Sequence, residues 1–147
     1  MINFKAHDQE IEDRVRSSFN RQQIMKTIGA KMTHVAPGEV HIELTFSETL
    51  TQQHGYLHAG TVTIIVDSAC GYAAYTLMPP FSEVLTVEYK VNFLHPAMGE
   101  RFVATGRVIK PGRTLTVCSG DVFAYGSQNV EGKLIATIQA TMMTVFK

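Results

Sequence analysis

A segment rich in glycine and histidine carries the residue types that could do chemistry in this chain. It runs from Gln52 to Gly60 and is followed by a long apolar run in which Asp67 is the one carboxylate. The first backbone N–H groups of a helix have no partner within the helix, so a helix that begins here could bind a developing oxyanion. A carboxylate on that helix could act as a nucleophile or as a general base. The segment therefore predicts a catalytic site.

The apolar run is the element that must position Asp67. Its first part, Thr61 to Val66, is largely β-branched and by itself favours a strand. The run continues, however, as far as Leu77 and stops at Pro79-Pro80, which is too long for an ordinary strand. We therefore predict a helix from Ala59 to Leu77 that is enclosed by other elements.

The remaining elements must supply that enclosure. Residues 8–28 carry apolar side chains at helical spacing, which predicts one broken or two short helices ending at Gly29. Pro37-Gly38 separates two short alternating runs and predicts a hairpin. Residues 85–93 form the clearest alternating strand, with Thr86 on the face of Glu88 and Lys90. Three further strands are predicted near 101–110, 114–125 and 133–146.

The chain as a whole has the size and composition of one domain. Its 147 residues suffice for one core, and the α+β pattern predicts an antiparallel sheet wrapped around a long helix, spanning 1–147. Basic and acidic residues balance at 13 each, which predicts no general attraction to nucleic acid or to a membrane. The absence of a signal-peptide core or a long apolar span predicts a cytoplasmic location. Cys70 and Cys118 are expected to be buried reduced thiols.

The residues around the predicted helix start resemble the signature of a known family. His58-Ala59-Gly60 together with Asp67 is similar to the His-Gly-Gly signature of hotdog-fold thioesterases of the phenylacetic-acid-degradation type, which have a carboxylate at the same offset. Gln52, Gly55 and His58 fall where that family has an Asn-x-x-Gly-x-x-His run. The likeness extends from about Arg21 to the C-terminus. Ala59 replaces the first Gly of the signature, and Gln52 replaces Asn.

The resemblance implies a hotdog fold and hydrolysis of an acyl-coenzyme A thioester to a free acid and coenzyme A. No metal or redox cofactor is expected, and coenzyme A enters the reaction as part of the substrate. Asp67 would be the nucleophile or the general base, and the sequence leaves both routes open. The N–H of Ala59 would bind the oxyanion. Three side chains are expected to position the substrate or the attacking water: Gln52, His58 and Thr86.

Contacts with the substrate are expected at the oxyanion turn and at basic side chains. Gly60 is expected to contact the substrate, because it belongs to the turn that would bind the thioester. The phosphates of coenzyme A are expected to meet basic side chains, since a guanidinium or an ammonium suits a phosphate. The candidates are Lys90, Lys110 and Arg113.

Helix geometry adds an expectation about assembly. Ala59 and Asp67 are separated by eight residues, or about 12 Å along a helix at 1.5 Å per residue. One thioester carbonyl cannot contact both, so the oxyanion donor of one subunit must meet Asp67 of another. We expect at least a homodimer, or a tetramer formed as a dimer of dimers.

Other functions remain as alternatives. One is a hotdog module that binds acyl-coenzyme A without turnover, and another is an enoyl-coenzyme A hydratase, which would need a closely paired Asp and His. His54 and His58 have the i, i+4 spacing of zinc ligands, but Gly55 stands where the zinc-protease motif needs Glu. Four residues after the active segment are expected to pack in the core rather than line an acyl tunnel: Tyr72, Tyr75, Met78 and Phe81.

Overall fold

The computed structural model describes residues 2–146 and contains three helices, six strands and a short 3-10 turn at Glu48–Leu50. The helices are α1 (Ile11–Arg21), α2 (Gln23–Ile28) and α3 (Ala59–Tyr75). The strands are β1 (Lys31–Ala36), β2 (Glu39–Thr45), β3 (Ser82–Phe93), β4 (Arg101–Lys110), β5 (Leu115–Gly126) and β6 (Asn129–Phe146). The predicted element types and order are confirmed, including two short helices that end at Gly29 in a left-handed conformation, φ 77°.

All six strands form one antiparallel sheet in the order β1-β2-β4-β5-β6-β3. Strands β1 and β3 are therefore the two edges. Helix α3 packs across one face of this sheet, which is the hotdog arrangement expected from the sequence. Within residues 2–146, no helix is both long and apolar enough to cross a membrane.

Helix α3 tolerates its β-branched first half because the surrounding sheet buries it. Val62, Ile65 and Val66 are almost completely buried, so tertiary packing overrides their intrinsic preference for strands. The helix also comes very close to the sheet. A Cβ atom at Gly106 in β4 would lie 2.3 Å from the backbone carbonyl of Ala69, so only glycine fits at that contact.

Strand β3 contains a β-bulge next to Thr86. Thr86 pairs with Met142 of β6, whereas Glu88 pairs with the preceding residue of β6, Thr141, so Val87 is an extra residue in β3. Met142 is fully buried and points toward α3. Directly opposed residues share a face of the sheet, so Thr86 also points toward α3.

The bulge corrects one expectation. A strict alternation puts Thr86 on the face of Glu88 and Lys90, and this placement is wrong. Glu88 and Lys90 follow the extra residue and face away from α3, where the Glu88 carboxylate accepts a hydrogen bond from the hydroxyl of Thr141 at 2.5 Å.

The core expectations are confirmed with one exception. Tyr72, Tyr75 and Met78 are buried, but Phe81 is 86% exposed with a positive φ of 65°, so its predicted core role is wrong. Phe81 lies in the turn between α3 and β3, which turns it away from the core. Cys70 and Cys118 are buried free thiols, and the Cys118 Sγ contacts the Cys70 carbonyl oxygen at 3.5 Å.

Candidate active site

His58 caps the start of α3. Its Nδ1 accepts a hydrogen bond from the Gly60 N–H at 2.8 Å, and its carbonyl oxygen accepts from Thr61 N–H at 2.9 Å and from Val62 N–H at 3.1 Å. These bonds satisfy the early helix donors except one. Within the described chain, the Ala59 N–H has no hydrogen-bond partner. It is therefore the donor at this turn that an oxyanion can use.

The N–H of Gly60 is not available to an oxyanion, because it already donates to His58 Nδ1. Gly60 instead matters for its lack of a side chain. A Cβ atom at Gly60 would lie 3.0 Å from His58 Nδ1 and would crowd the cap. The zinc alternative for this region finds no support in the geometry. His54 lies in a turn rather than on the helix, and the capping bond occupies Nδ1 of His58.

Gln52 organises the turn that leads to His58. Its Oε1 accepts hydrogen bonds from the N–H groups of His54, at 2.5 Å, and Tyr56, at 3.4 Å. Two backbone donors can be satisfied only by the amide oxygen, so the side-chain NH₂ group of Gln52 is left for other partners. Gln52 and Ala59 line one groove of about 420 Å³ together with residues 93–97.

Asp67 lies half-buried on α3 and is held by the edge strand. The hydroxyl of Thr86 donates a hydrogen bond to Asp67 Oδ1 at 2.9 Å. Burial raises the pKa of Asp67, and the hydrogen bond from Thr86 lowers it, with a net shift upward from the ordinary value. Thr86 therefore meets the carboxylate within one subunit, and the bulge in β3 makes this contact possible.

Asp67 and Thr86 line a second pocket of about 270 Å³, which helix α1 closes. At its far wall, the Tyr72 hydroxyl lies 3.2 Å from Ser18 Oγ and accepts a hydrogen bond from Gln22 Nε2 at 3.0 Å. Burial also raises the pKa of Tyr72. The sequence does not single out Ser18 of α1 or Gln22, the residue that follows α1, because no spacing pattern shows which polar residue meets α3.

Helix α1 is fixed in that position by contacts with α3. The Phe19 ring packs edge-on against Tyr72 with centroids 6.0 Å apart. The Arg14 guanidinium lies over the Tyr75 ring, 4.5 Å from its centroid, and donates to the Met78 carbonyl oxygen at 3.1 Å. The N-terminal helix is therefore part of the pocket wall beside Asp67.

The two halves of the predicted site are separate within one subunit. The groove at Gln52 and Ala59 shares no lining residue with the pocket at Asp67 and Thr86. Ala59 and Asp67 lie eight residues apart on one continuous helix, which corresponds to about 12 Å. A single chain thus assembles each half of the site, Gln52 with Ala59 and Asp67 with Thr86, but it does not bring the two halves to the same place.

The predicted coenzyme A contacts are exposed and lie outside both linings. Lys90 pairs with Gln139 and faces away from α3. Lys110 is the last residue of β4, and Arg113 lies in the turn between β4 and β5. That turn is at the Thr86 end of the sheet, where Thr116 of β5 and Thr86 of β3 both pair with Met142.

Comparison with known proteins agrees with this architecture. A family model for the thioesterase superfamily matches residues 54–131. The matched region contains the cap, Asp67 and Thr86. The chain belongs to the thioesterase superfamily, and it is a thioester hydrolase with the hotdog fold.

Individual relatives span nearly the whole chain. A thioesterase family protein from Silicibacter pomeroyi is 49% identical with a TM-score of 0.90, covering 93% of this chain and 99% of that one. Human acyl-coenzyme A thioesterase 13 is 30% identical over 131 residues, which is 87% of this chain and 89% of that protein. The Escherichia coli PaaI protein from the phenylacetic acid degradation operon shares the fold, with a TM-score of 0.82 over 92% of this chain and 94% of that one, at 16% identity.

Proposed function

We propose that this protein hydrolyses acyl-coenzyme A thioesters to a free acid and coenzyme A, at two composite sites of a homodimer. The observation that carries the proposal is the half-buried Asp67 carboxylate, which Thr86 holds on the same helix whose first N–H is free. The likeness to acyl-coenzyme A thioesterase 13 supports coenzyme A as the thiol. We expect the protein to act in the cytoplasm.

The substrate carbonyl would lie between two subunits. The Ala59 N–H and the side-chain NH₂ of Gln52 from one subunit donate to the carbonyl oxygen, and Asp67 of the other approaches the carbonyl carbon. Both donors strengthen their bonds as negative charge develops on that oxygen. His58 acts through the helix cap, since it fixes the start of α3 and keeps Gly60 in place.

Two balanced routes are open to Asp67. As a general base, it takes a proton from water while the hydroxide attacks the carbonyl carbon; the C–S bond then breaks and the thiolate takes up the proton. As a nucleophile, it forms an acyl-aspartyl anhydride and releases the thiolate, and water then hydrolyses the anhydride. Single turnover in ¹⁸O-labelled water distinguishes them, because hydrolysis of the anhydride can place the label in Asp67.

The pocket beside Asp67 gives the proposed acyl preference. It is small, and its far wall presents the hydrogen-bonded group of Ser18, Gln22 and Tyr72 rather than an apolar surface. A long alkyl chain would displace water from these polar groups, and it has no group that could replace the hydrogen bonds to that water. We therefore expect short acyl groups, or acyl groups that carry a polar substituent, to be preferred over long saturated chains.

The edge strand β3 supports dimerisation. It exposes large apolar side chains, on both of its faces, that a solvent-facing edge would not be expected to carry: Leu85, Val87, Tyr89 and Phe93. An unpaired edge of this kind tends to pair with another chain. Pairing of β3 with its symmetry mate would cover the edge, so we expect at least this dimer, or a tetramer built from two such dimers.

A thiol-release assay across a panel of acyl-coenzyme A esters tests this function. The parent protein should release coenzyme A, and Asp67→Asn should reduce kcat by about 10²- to 10⁴-fold, the usual contribution of a positioned base. Asp121→Asn is the matched control, since Asp121 is also half-buried but faces the other side of the sheet. Full activity in Asp67→Asn would refute the assignment.

The same panel tests the alternatives. A stable acyl-coenzyme A complex without thiol release would favour a binding module. Loss of enoyl absorbance without thiol release would favour a hydratase. Within one subunit, no histidine lines the pocket at Asp67, so the paired Asp and His of a hydratase are not found there among the described residues.

A further inference from the structure

Three potential metal ligands meet on the outer face of the sheet, away from α3. His34 of β1 pairs directly with His41 of β2, and Glu39 precedes His41 by two residues in the same strand. Val40 and Ile42 are fully buried on the inner face, so Glu39 and His41 point outward. The two histidines and the glutamate therefore share one side of a hairpin.

The distances among these side chains are short. The imidazole rings of His34 and His41 have centroids 4.7 Å apart, and His41 Nε2 lies 2.6 Å from Glu39 Oε1. One ligand atom from each of the three residues lies within 4.8 Å of the other two. Ligands of one zinc ion, each about 2.0–2.2 Å from the metal, fall within this range after small side-chain rotations.

The surroundings also resemble those of a metal ligand set. Arg107 of β4 donates from Nε to Glu39 Oε2 at 3.2 Å, which orients the carboxylate and leaves Oε1 toward the histidines.

We propose that His34, Glu39 and His41 form a binding site for a divalent transition-metal ion of the zinc class. Two imidazoles and one carboxylate leave a fourth position for water. The metal would replace the hydrogen bond between His41 and Glu39, and Arg107 would remain as the outer partner of the carboxylate. The proposed hydrolysis does not use this site, since β1 is at the opposite edge of the sheet from β3.

The site would join the edge strand β1 to β2. Within residues 2–146, strand β1 pairs in the sheet with β2 alone, and this pairing is interrupted by a bulge between Met32 and His34. A metal held by His34 on one side and by His41 and Glu39 on the other would cross-link the two strands next to this bulge. Metal binding to the folded hairpin should therefore stabilise the folded state.

Titration of the full chain with zinc chloride alone, followed by calorimetry and by thermal unfolding, tests the proposal. We expect one zinc ion per chain and a higher Tm with zinc. His41→Gln and Glu39→Gln should each raise the Kd at least about tenfold, the usual effect of losing one interaction that tunes a metal site. Circular dichroism checks that each variant is folded. If one of the two is not, His34→Gln takes its place, because His34 is exposed.

His54→Gln is the matched control, because His54 is an exposed histidine on a turn outside this cluster. It should bind zinc as the parent does. Equal zinc affinity in the parent and in the folded cluster variants would overturn the proposal, as would the absence of zinc binding by the parent. Loss of binding in His54→Gln but not in His41→Gln would place the metal at the helix start instead and would also overturn it.

Discussion

At Asp67, two opposing influences set the protonation of the carboxyl group. Burial raises its pKa and the hydrogen bond from Thr86 lowers it. Hydrolysis needs the ionised form on either route, so activity should fall as the pH drops through this pKa. Thr86→Val removes the lowering influence and should move the acid limb of the kcat/KM profile to higher pH.

Thr141→Val is the control for that profile. The Thr141 hydroxyl also donates to a carboxylate, that of Glu88, but on the outer face of the sheet. Its removal should leave the acid limb in place. A limb that shifts equally in both variants, or one that does not move in Thr86→Val, would show that Thr86 does not tune Asp67.

Ionisation of Asp67 should also lower the free energy of unfolding of the protein. Its pKa in the folded state lies above the unfolded value, so the folded protein binds more protons between these two values. The free energy of unfolding contributed by Asp67 therefore decreases as the pH rises through that interval. Asp67→Asn should abolish this dependence and unfold at a higher Tm at neutral pH, while it loses activity. A lower Tm at neutral pH would contradict this account.

At the scale of elements, the close contact between α3 and the sheet is the most demanding feature. Gly106→Ala would place a Cβ atom 2.3 Å from the backbone of Ala69, so the helix must shift. We expect a loss of about 1–3 kcal/mol in the free energy of unfolding, typical of overpacking, or more where the backbone cannot relax. Denaturant unfolding at neutral pH measures it.

Gly71→Ala provides a matched glycine in the helix itself. A Cβ atom there would meet only the Met142 sulfur, at an ordinary 3.9 Å. Because alanine has the higher helix propensity, this variant should be as stable as the parent or more stable, by up to about 1 kcal/mol. If the two substitutions had the same effect, the close helix–sheet contact would not be what fixes Gly106.

The sequence predicted the elements well because their signals are local. The length of the apolar run indicated α3 despite its β-branched residues, and Pro37-Gly38 marked the hairpin correctly. The sequence does not show the bulge at Val87, because apolar and polar residues alternate without a break from Leu85 to Phe93 and nothing marks the extra residue. That single residue decides whether Thr86 faces Asp67.

The candidate site was predictable only in part, for a similar reason. The residues at the helix start and Asp67 are marked by spacing along one helix. Ser18 and Gln22 reach the pocket through the packing of α1 on α3, which depends on Phe19 and Tyr72 and has no sequence period of its own. The apolar character of Phe81 predicts a place in the core, but the side chain lies in a turn and is exposed.

At the scale of the whole molecule, activity should depend on two subunits, since one chain does not bring Ala59 and Asp67 to the same carbonyl. The two halves can be disabled separately. Asp67→Asn removes the carboxylate, and Ala59→Pro removes the oxyanion N–H. Proline is well suited to this position, the first residue of α3, and the preceding His58 has the extended conformation that proline requires, φ −61° and ψ 137°.

Mixing these two inactive variants, after subunit exchange, tests the composite site most directly. Each mixed dimer would have one site with both an intact Asp67 and an intact Ala59, and the other site would have neither. With random pairing in equal amounts, half of the dimers are mixed, so activity should return to about one quarter of the parent's. Exchange is verified by mass spectrometry of the intact dimers. Verified mixed dimers that remain as inactive as either variant alone would contradict the composite site.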